Sequence, residues 1–248
     1  KAIEDARSVF ARGINAMPAE IYFTSGGSES DNWAIKGTAH RLAAQGKRHI
    51  VTDNIEHHAV LNSAKALEKE GFDITYIKAD ADGVVRAEDV KAALRPDTAL
   101  VSVMFANNEL GTIQPVSEIG RACREAGVLF HCDAVQAAGI LPIDVEAMDI
   151  DLLSMSAHKF HGPKGVGILY ARRGCVPPVY IDGGEQERGH RAGTENVAGI
   201  VGAAAAFSEA MLERENKALR LSSMRDRIQT ELLKIPGSQV NGGSVPRL

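Results

Sequence analysis

Short apolar runs alternate along this chain with longer stretches of helical periodicity, and few folds accept that alternation. Runs at 21–24, 49–52, 74–77, 99–103, 128–132, 152–156 and 165–170 read as strands. Helical patterns precede and separate them. One covers 1–17 and is stopped by Pro18; another runs from the 25–29 turn to about Ala44, and others lie at 59–69, 87–94 and 115–126, the last opened by Pro115 and closed by Gly127. Strands alternating with helices of 8 to 17 residues imply βαβ units. The expected fold is therefore α/β, a mostly parallel sheet flanked by helices. From Asn196 an Ala-rich helical pattern continues to about Lys234, with one break expected, as a connector to a second unit. The last residues, 237–248, are rich in Gly, Ser and Pro and should form no element.

Composition narrows the function classes. Lys plus Arg is 28 against 32 for Asp plus Glu, and no basic tract is present, which argues against binding a nucleic-acid backbone. Aromatics at 5% also disfavour base-stacking surfaces. No run approaches the roughly 18 apolar residues of a membrane span. Cys123, Cys132 and Cys175 show neither disulfide-like nor metal-like spacing, so no metal site is expected and a reducing compartment is. The expected location is cytoplasmic, or an organelle matrix if a targeting segment preceded Lys1.

Ligands of parallel α/β sheets bind beyond the carboxyl ends of the strands. Four segments there carry chemistry. The first, Thr24-Ser25-Gly26-Gly27-Ser28-Glu29-Ser30, is a small-residue turn into a helix. Such a turn can offer N–H groups to a phosphate, or it can be a plain capped turn with Ser28 as the cap. In the second, Glu56-His57-His58, one imidazole can stack on a ring or move a proton; a surface or core histidine is the ordinary alternative. In the third, 131–136, Asp133 follows a hydrophobic strand and needs a cationic partner. A protonated ring nitrogen would serve, as would an arginine or a helix cap. In the fourth, 152–165, a strand delivers Ser156, His158 and Lys159 into a loop broken by Gly and Pro. A lysine beside apolar strand residues is expected to be partly desolvated and nucleophilic, although most lysines are solvated surface charges. Lys164 is expected to turn outward.

A phosphate cradle, a stacking histidine, a carboxylate for a ring nitrogen and a strand-end lysine together describe a pyridoxal 5'-phosphate site. At these residues the chain also resembles the cysteine desulfurases of the NifS/IscS type, within the class V, fold-type I pyridoxal-phosphate enzymes. The resemblance covers essentially all 248 residues and rests on FTSGGSESDN, EHHAV, NNELG, HCDAVQ, SAHKFHGPKGVG and ERGHRAGTEN.

The resemblance implies a fold-type I large domain over 1–212, followed at 213–248 by a connector helix and the start of a small C-terminal domain. Lys159 would hold the cofactor aldehyde as a Schiff base, and Lys159 and His57 would transfer protons. Asp133 would pair with the pyridine nitrogen and His57 would stack on the ring. Gln136 and Asn108 would lie near the ring hydroxyl. Gly27, Ser28, Ser156 and His158 would bind phosphate, with Ser28 standing where the family often has Thr. Thr194 would reach the phosphate of a neighbouring subunit, implying a homodimer.

The implied reaction converts L-cysteine to L-alanine and leaves sulfur on an enzyme thiolate, for a sulfur-acceptor or iron–sulfur scaffold protein. None of the three cysteines stands in the family's catalytic context. The nucleophilic Cys and the substrate-carboxylate Arg are expected in sequence beyond these 248 residues, so that this stretch alone should be inactive. Pro246-Arg247-Leu248 reads as an interruption. Two rivals share these motifs: another class V enzyme (an aminotransferase or selenocysteine lyase), and a non-catalytic desulfurase-like module. A Rossmann dehydrogenase is the weakest reading, because no GxGxxG follows the first strand.

Overall fold

A computed structural model describes residues 1–248. Seven strands form one sheet: β1 (Ile21–Thr24), β2 (His49–Asp53), β3 (Asp73–Ile77), β4 (Thr98–Ser102), β5 (Leu129–Asp133), β6 (Leu152–Ser156) and β7 (Gly167–Ala171). Their order is β1-β7-β6-β5-β4-β2-β3. The pairs among β2, β3, β4, β5 and β6 are parallel, whereas β7 runs antiparallel to both β6 and β1. The sequence pattern does not distinguish β7 from its parallel neighbours. The reason lies in its connection: only residues 157–166 join β6 to β7, too few for the crossover that a parallel pair requires. Because β7 is the one reversed strand, β1, β2, β4, β5 and β6 all end at the same edge of the sheet.

The helices are α1 (Ala2–Gly13), α2 (Gly27–Asn32), α3 (Thr38–Ala43), α4 (His58–Lys69), α5 (Ala87–Ala93), α6 (Val116–Ala126) and α7 (Val197–Leu232). A single π-type turn, Trp33–Gly37, joins α2 to α3 without leaving helical backbone, so residues 27–43 form one continuous helix. α1 stops short of the expected Met17, because Asn15 adopts a left-handed φ of 57°. α6 closes as expected, with Gly127 left-handed at φ 63°.

Apolar side chains alternate between the two faces of the sheet. Ile21 and Phe23 face α1 and α7, where Phe10 stacks on Phe207 at 4.9 Å between ring centroids and Phe160 completes the trio. Tyr22 points the other way onto Trp33, which is fully buried and donates to the Pro178 carbonyl at 2.8 Å. α7 is unbroken, contrary to the expected interruption: no Gly or Pro occurs between Ala203 and Leu232. Its buried residues end at Ala210, and Leu212 onward is exposed on the apolar side chains. Residues 237–248 form no helix or strand, but Arg247 makes a β-bridge to Thr112. No helix is long and apolar enough to cross a membrane.

Candidate active site

Beyond the shared carboxyl edge of the strands lies a pocket of about 320 Å³. Its wall includes Gly27 and Ser28 after β1, His57 after β2, Asn108 after β4, Asp133 and Gln136 after β5, and Ser156, His158 and Lys159 from β6 and its following turn. Residues as far apart as 27 and 159 in sequence therefore face one space. A pocket of this size accommodates a small aromatic ligand with its substituents.

The 24–28 turn supplies the anion-seeking side. Thr24 and Ser30 hydroxyls bond each other at 2.8 Å and hold the helix start against β1. The first N–H groups of the helix lack partners within it. Gly27 is required for close approach: a Cβ there would stand 2.7 Å from Val135 Cγ2. Opposite, Ser156 Oγ and His158 Nδ1 lie 2.9 Å apart.

His57 caps α4. Its Nδ1 accepts the Ala59 N–H at 3.1 Å, which leaves Nε2 as the exposed ring's nitrogen available to exchange a proton. Lys159 sits in the 3₁₀ turn Ala157–Phe160, which ends at the left-handed His161. Its side chain is exposed, so the expected desolvation by apolar strand residues is not found. The turn after β6 lifts Lys159 off the sheet, while Ala157 and Phe160 take the buried positions. Lys164 lines a separate polar recess with Gly27, Ser28 and His158.

Asp133 is buried and forms no ion pair with arginine; Oδ1 accepts the Val135 N–H at 2.9 Å. Burial raises its proton affinity, against the Val135 bond and the charges of His57 and Lys159. Three more acids are buried behind it. Asp31 is held well above the ordinary carboxylate range by burial and then by Asp133, and Glu56 by burial and then by Asp53, Asp133 and Asp31. Burial lifts Asp53 to about 7. One oxygen each of Asp31 and Asp53, and both of Glu56, have no hydrogen-bond partner. Burial without a partner favours the protonated form of such carboxyls. His131, whose burial pushes it down to about 3, lies between the hydroxyls of Ser102 at 2.9 Å and Ser154 at 3.0 Å. Asp133 is thus the acid with a fixed N–H donor and with Lys159 and His57 on the pocket side.

Asp31, Met104, Ala106 and Val135 also line the pocket and are absent from the sequence reading. Asp31 was findable: it lies one helical turn after Ser28, on the same helix face. Thr194 is not brought to this pocket. It lies exposed in a second recess with Ser25, Arg191 and Asn196. None of the three free cysteines lines either space.

Comparison with known proteins gives a consistent picture. Residues 1–247 match the family model described as Aminotransferase class-V. A cysteine desulfurase IscS of Clostridium botulinum is 53% identical over 243 residues, covering 98% of this chain and 61% of that protein. A solved NifS-like protein superposes with a TM-score of 0.92 at 44% identity, over 95% of this chain and 65% of the other. The structure titled SspA in complex with cysteine gives 0.81 at 46% identity, over 84% of this chain and 60% of the other. The chain thus spans about three-fifths of the length of the curated relatives it matches.

Proposed function

The chain belongs to the class-V aminotransferase family, and from that premise we propose that it is the cofactor-holding part of a pyridoxal-phosphate-dependent cysteine desulfurase. The observation that carries the proposal is the single pocket joining Lys159, Asp133 and His57 to the Gly27–Ser28 turn. The relatives named IscS and the cysteine complex of a similar structure support L-cysteine as the substrate.

The residues present fit the cofactor. The Gly27 turn, with no room for a Cβ, would take its phosphate together with Ser28, Ser156 and His158. Asp133 would accept the pyridine N–H, and His57 would cover the ring face. Asn108 and Gln136 would lie by the ring hydroxyl. Lys159, unencumbered and exposed, would hold the aldehyde carbon. When bound, the cofactor supplies an electron sink for the substrate α-carbon.

What the chain itself does follows from its geometry. Asp133 would carry its negative charge against a protonated ring nitrogen, while burial favours the protonated forms of the neighbouring Asp31 and Glu56. Lys159 and the Nε2 side of His57 move protons at the pocket mouth. In the net reaction the carbon–sulfur bond of L-cysteine breaks, L-alanine leaves, and the sulfur joins an enzyme thiol as a persulfide. Cys123 and Cys132 are deeply buried, and Cys175 lines neither recess; the resemblance to the desulfurases implies that the thiol lies in sequence outside these residues. A sulfur-acceptor or iron–sulfur scaffold protein would take the persulfide sulfur. We further propose a homodimer that brings Thr194 to the partner's phosphate site; exposed Val179, Tyr180, Ile181, Val197 and Val201 near that loop supply apolar surface for it. Three unpaired cysteines suit a reducing cytoplasm or organelle matrix.

Borohydride treatment of the protein with pyridoxal phosphate should fix the cofactor on Lys159, as read by peptide mass, and Lys159→Ala should abolish the adduct. The full-length protein should then release alanine from L-cysteine and gain one reductant-removable sulfur. A stable adduct on another residue, or cofactor binding with no alanine released, would defeat the assignment.

A further inference from the structure

Glu29 occupies the third position of the helix that begins at Gly27. A carboxylate there is one turn or less from the groups that line the pocket, and an unpaired one would repel a bound anion. In the structure it borders the polar recess shared by Ser28, Ser156 and His158, and it is tied. Glu29 Oε2 accepts the Ser25 N–H at 3.0 Å and also bonds the Ser25 hydroxyl. Arg191 grips the same carboxylate with two prongs, Nε to Oε1 at 2.8 Å and Nη2 to Oε2 at 3.2 Å. Both side chains are mostly buried, at 12% and 20% exposure, so the pair is shielded from solvent. Burial alone would push the Glu29 carboxyl up; Arg191 and Ser25 outweigh it and hold the group below its ordinary value.

Arg191 lies 162 residues from Glu29 and three before Thr194, and it lines the recess that Thr194 shares with Ser25. One bidentate pair therefore joins the Ser25–Ser28 turn to the loop carrying Thr194. Nothing in the proposed chemistry uses either residue.

We propose that Glu29 and Arg191 are positioning residues for the phosphate: the pair fixes the Ser25–Ser28 turn in its anion-accepting shape, cancels the Glu29 carboxylate beside it, and ties that shape to the Thr194 loop. The inference rests on the reading of the pocket as a pyridoxal-phosphate site. Its reach is specific. A ligand with the same ring but no phosphate gains nothing from the pair.

The test compares pyridoxal 5'-phosphate with pyridoxal, titrated by fluorescence into the cofactor-free protein. Arg191→Met should weaken binding of the phosphate form by about tenfold or more while leaving pyridoxal within about twofold. Arg191→Lys, which keeps the charge and loses the fork, should fall between. Adding Glu29→Gln to Arg191→Met should recover part of the loss, because the uncompensated carboxylate is gone; the pyridoxal arm separates this from lost folding, which would weaken both ligands alike. Equal weakening of both ligands, or no recovery in the double variant, overturns the positioning role while the cofactor reading stands. A wild-type protein that binds neither ligand overturns both.

Discussion

The Arg7 guanidinium and the Glu187 carboxylate, 180 residues apart, meet in a two-pronged buried pair, with Nη1 2.8 Å from Oε2 and Nη2 3.1 Å from Oε1. The two residues are only 3% and 5% exposed. The pair is fully hydrogen-bonded: Arg7 also donates to the Ile21 carbonyl and Glu187 accepts the Phe23 N–H. It ties down the edge strand β1 at Ile21 and Phe23. Glu187 and Arg188 hold left-handed φ values of 46° and 59° to reach it.

Removing one partner leaves a buried charge alone. Arg7→Met should lower the free energy of unfolding by about 3–5 kcal/mol in urea denaturation. Arg7→Met with Glu187→Gln should lose less than the sum of the single changes. Strict additivity, or a loss below about 1 kcal/mol, would show that the pair contributes little.

Two glycines near the cradle should behave oppositely. A Cβ on Gly167 would lie 2.4 Å from the Gly26 carbonyl carbon and 2.5 Å from its oxygen, so Gly167→Ala must push the 24–27 turn. A Cβ on Gly26 meets nothing within 4 Å, and its extended φ of 162° suits any residue. Gly167→Ala should weaken pyridoxal-phosphate binding and lower the melting temperature; Gly26→Ala should leave melting within a degree or two, corresponding to about 0.5 kcal/mol or less. Equal effects of the two would show that the turn yields freely.

The buried acids link stability to solvent pH in one direction. Asp53 keeps its proton in the folded state up to about 7, whereas an unfolded Asp releases it near 3.8. Folded protein therefore binds more protons across that window, and the stability this confers at low pH is lost as pH rises. Asp31 and Glu56 act in the same sense. His131 acts oppositely: unfolding lets it charge below 6.5 while the folded ring resists until about 3, so stability falls as pH drops. Asp53→Asn should gain stability relative to the wild type as pH rises from about 4 to about 7, by up to roughly 1.4 kcal/mol per pH unit. Chemical denaturation at several pH values reads this directly. A constant difference would mean that Asp53 titrates normally.

Burial should also protect two of the three thiols. It pushes Cys123 up to about 12 and Cys132 well above the ordinary thiol value, while Cys175 is half-buried and less raised. Brief iodoacetamide treatment of the native protein at pH 8 should label Cys175 first, and Cys123 and Cys132 only after denaturation. Rapid native labelling of Cys132 would contradict the packing of β5.

Local physics made much of this protein legible from its residues. Gly127 ends α6 because a left-handed residue was needed there, and the strand positions follow from apolar runs bounded by turns. The residues Gly27, Ser28, His57, Asp133, Ser156 and Lys159 were visible because each follows a strand at its carboxyl end, and parallel strands bring those ends together. Tertiary structure alone decided the rest. The reversal of β7 depends on a connection length, and the exposure of Lys159 depends on how the 157–160 turn packs. The buried acids behind Asp133 and the pairs Arg7–Glu187 and Glu29–Arg191 join residues remote in sequence. Turn and helix preferences act over a few neighbouring residues, whereas desolvation and charge pairing depend on which distant side chains share a buried space, and only the packed sheet sets that.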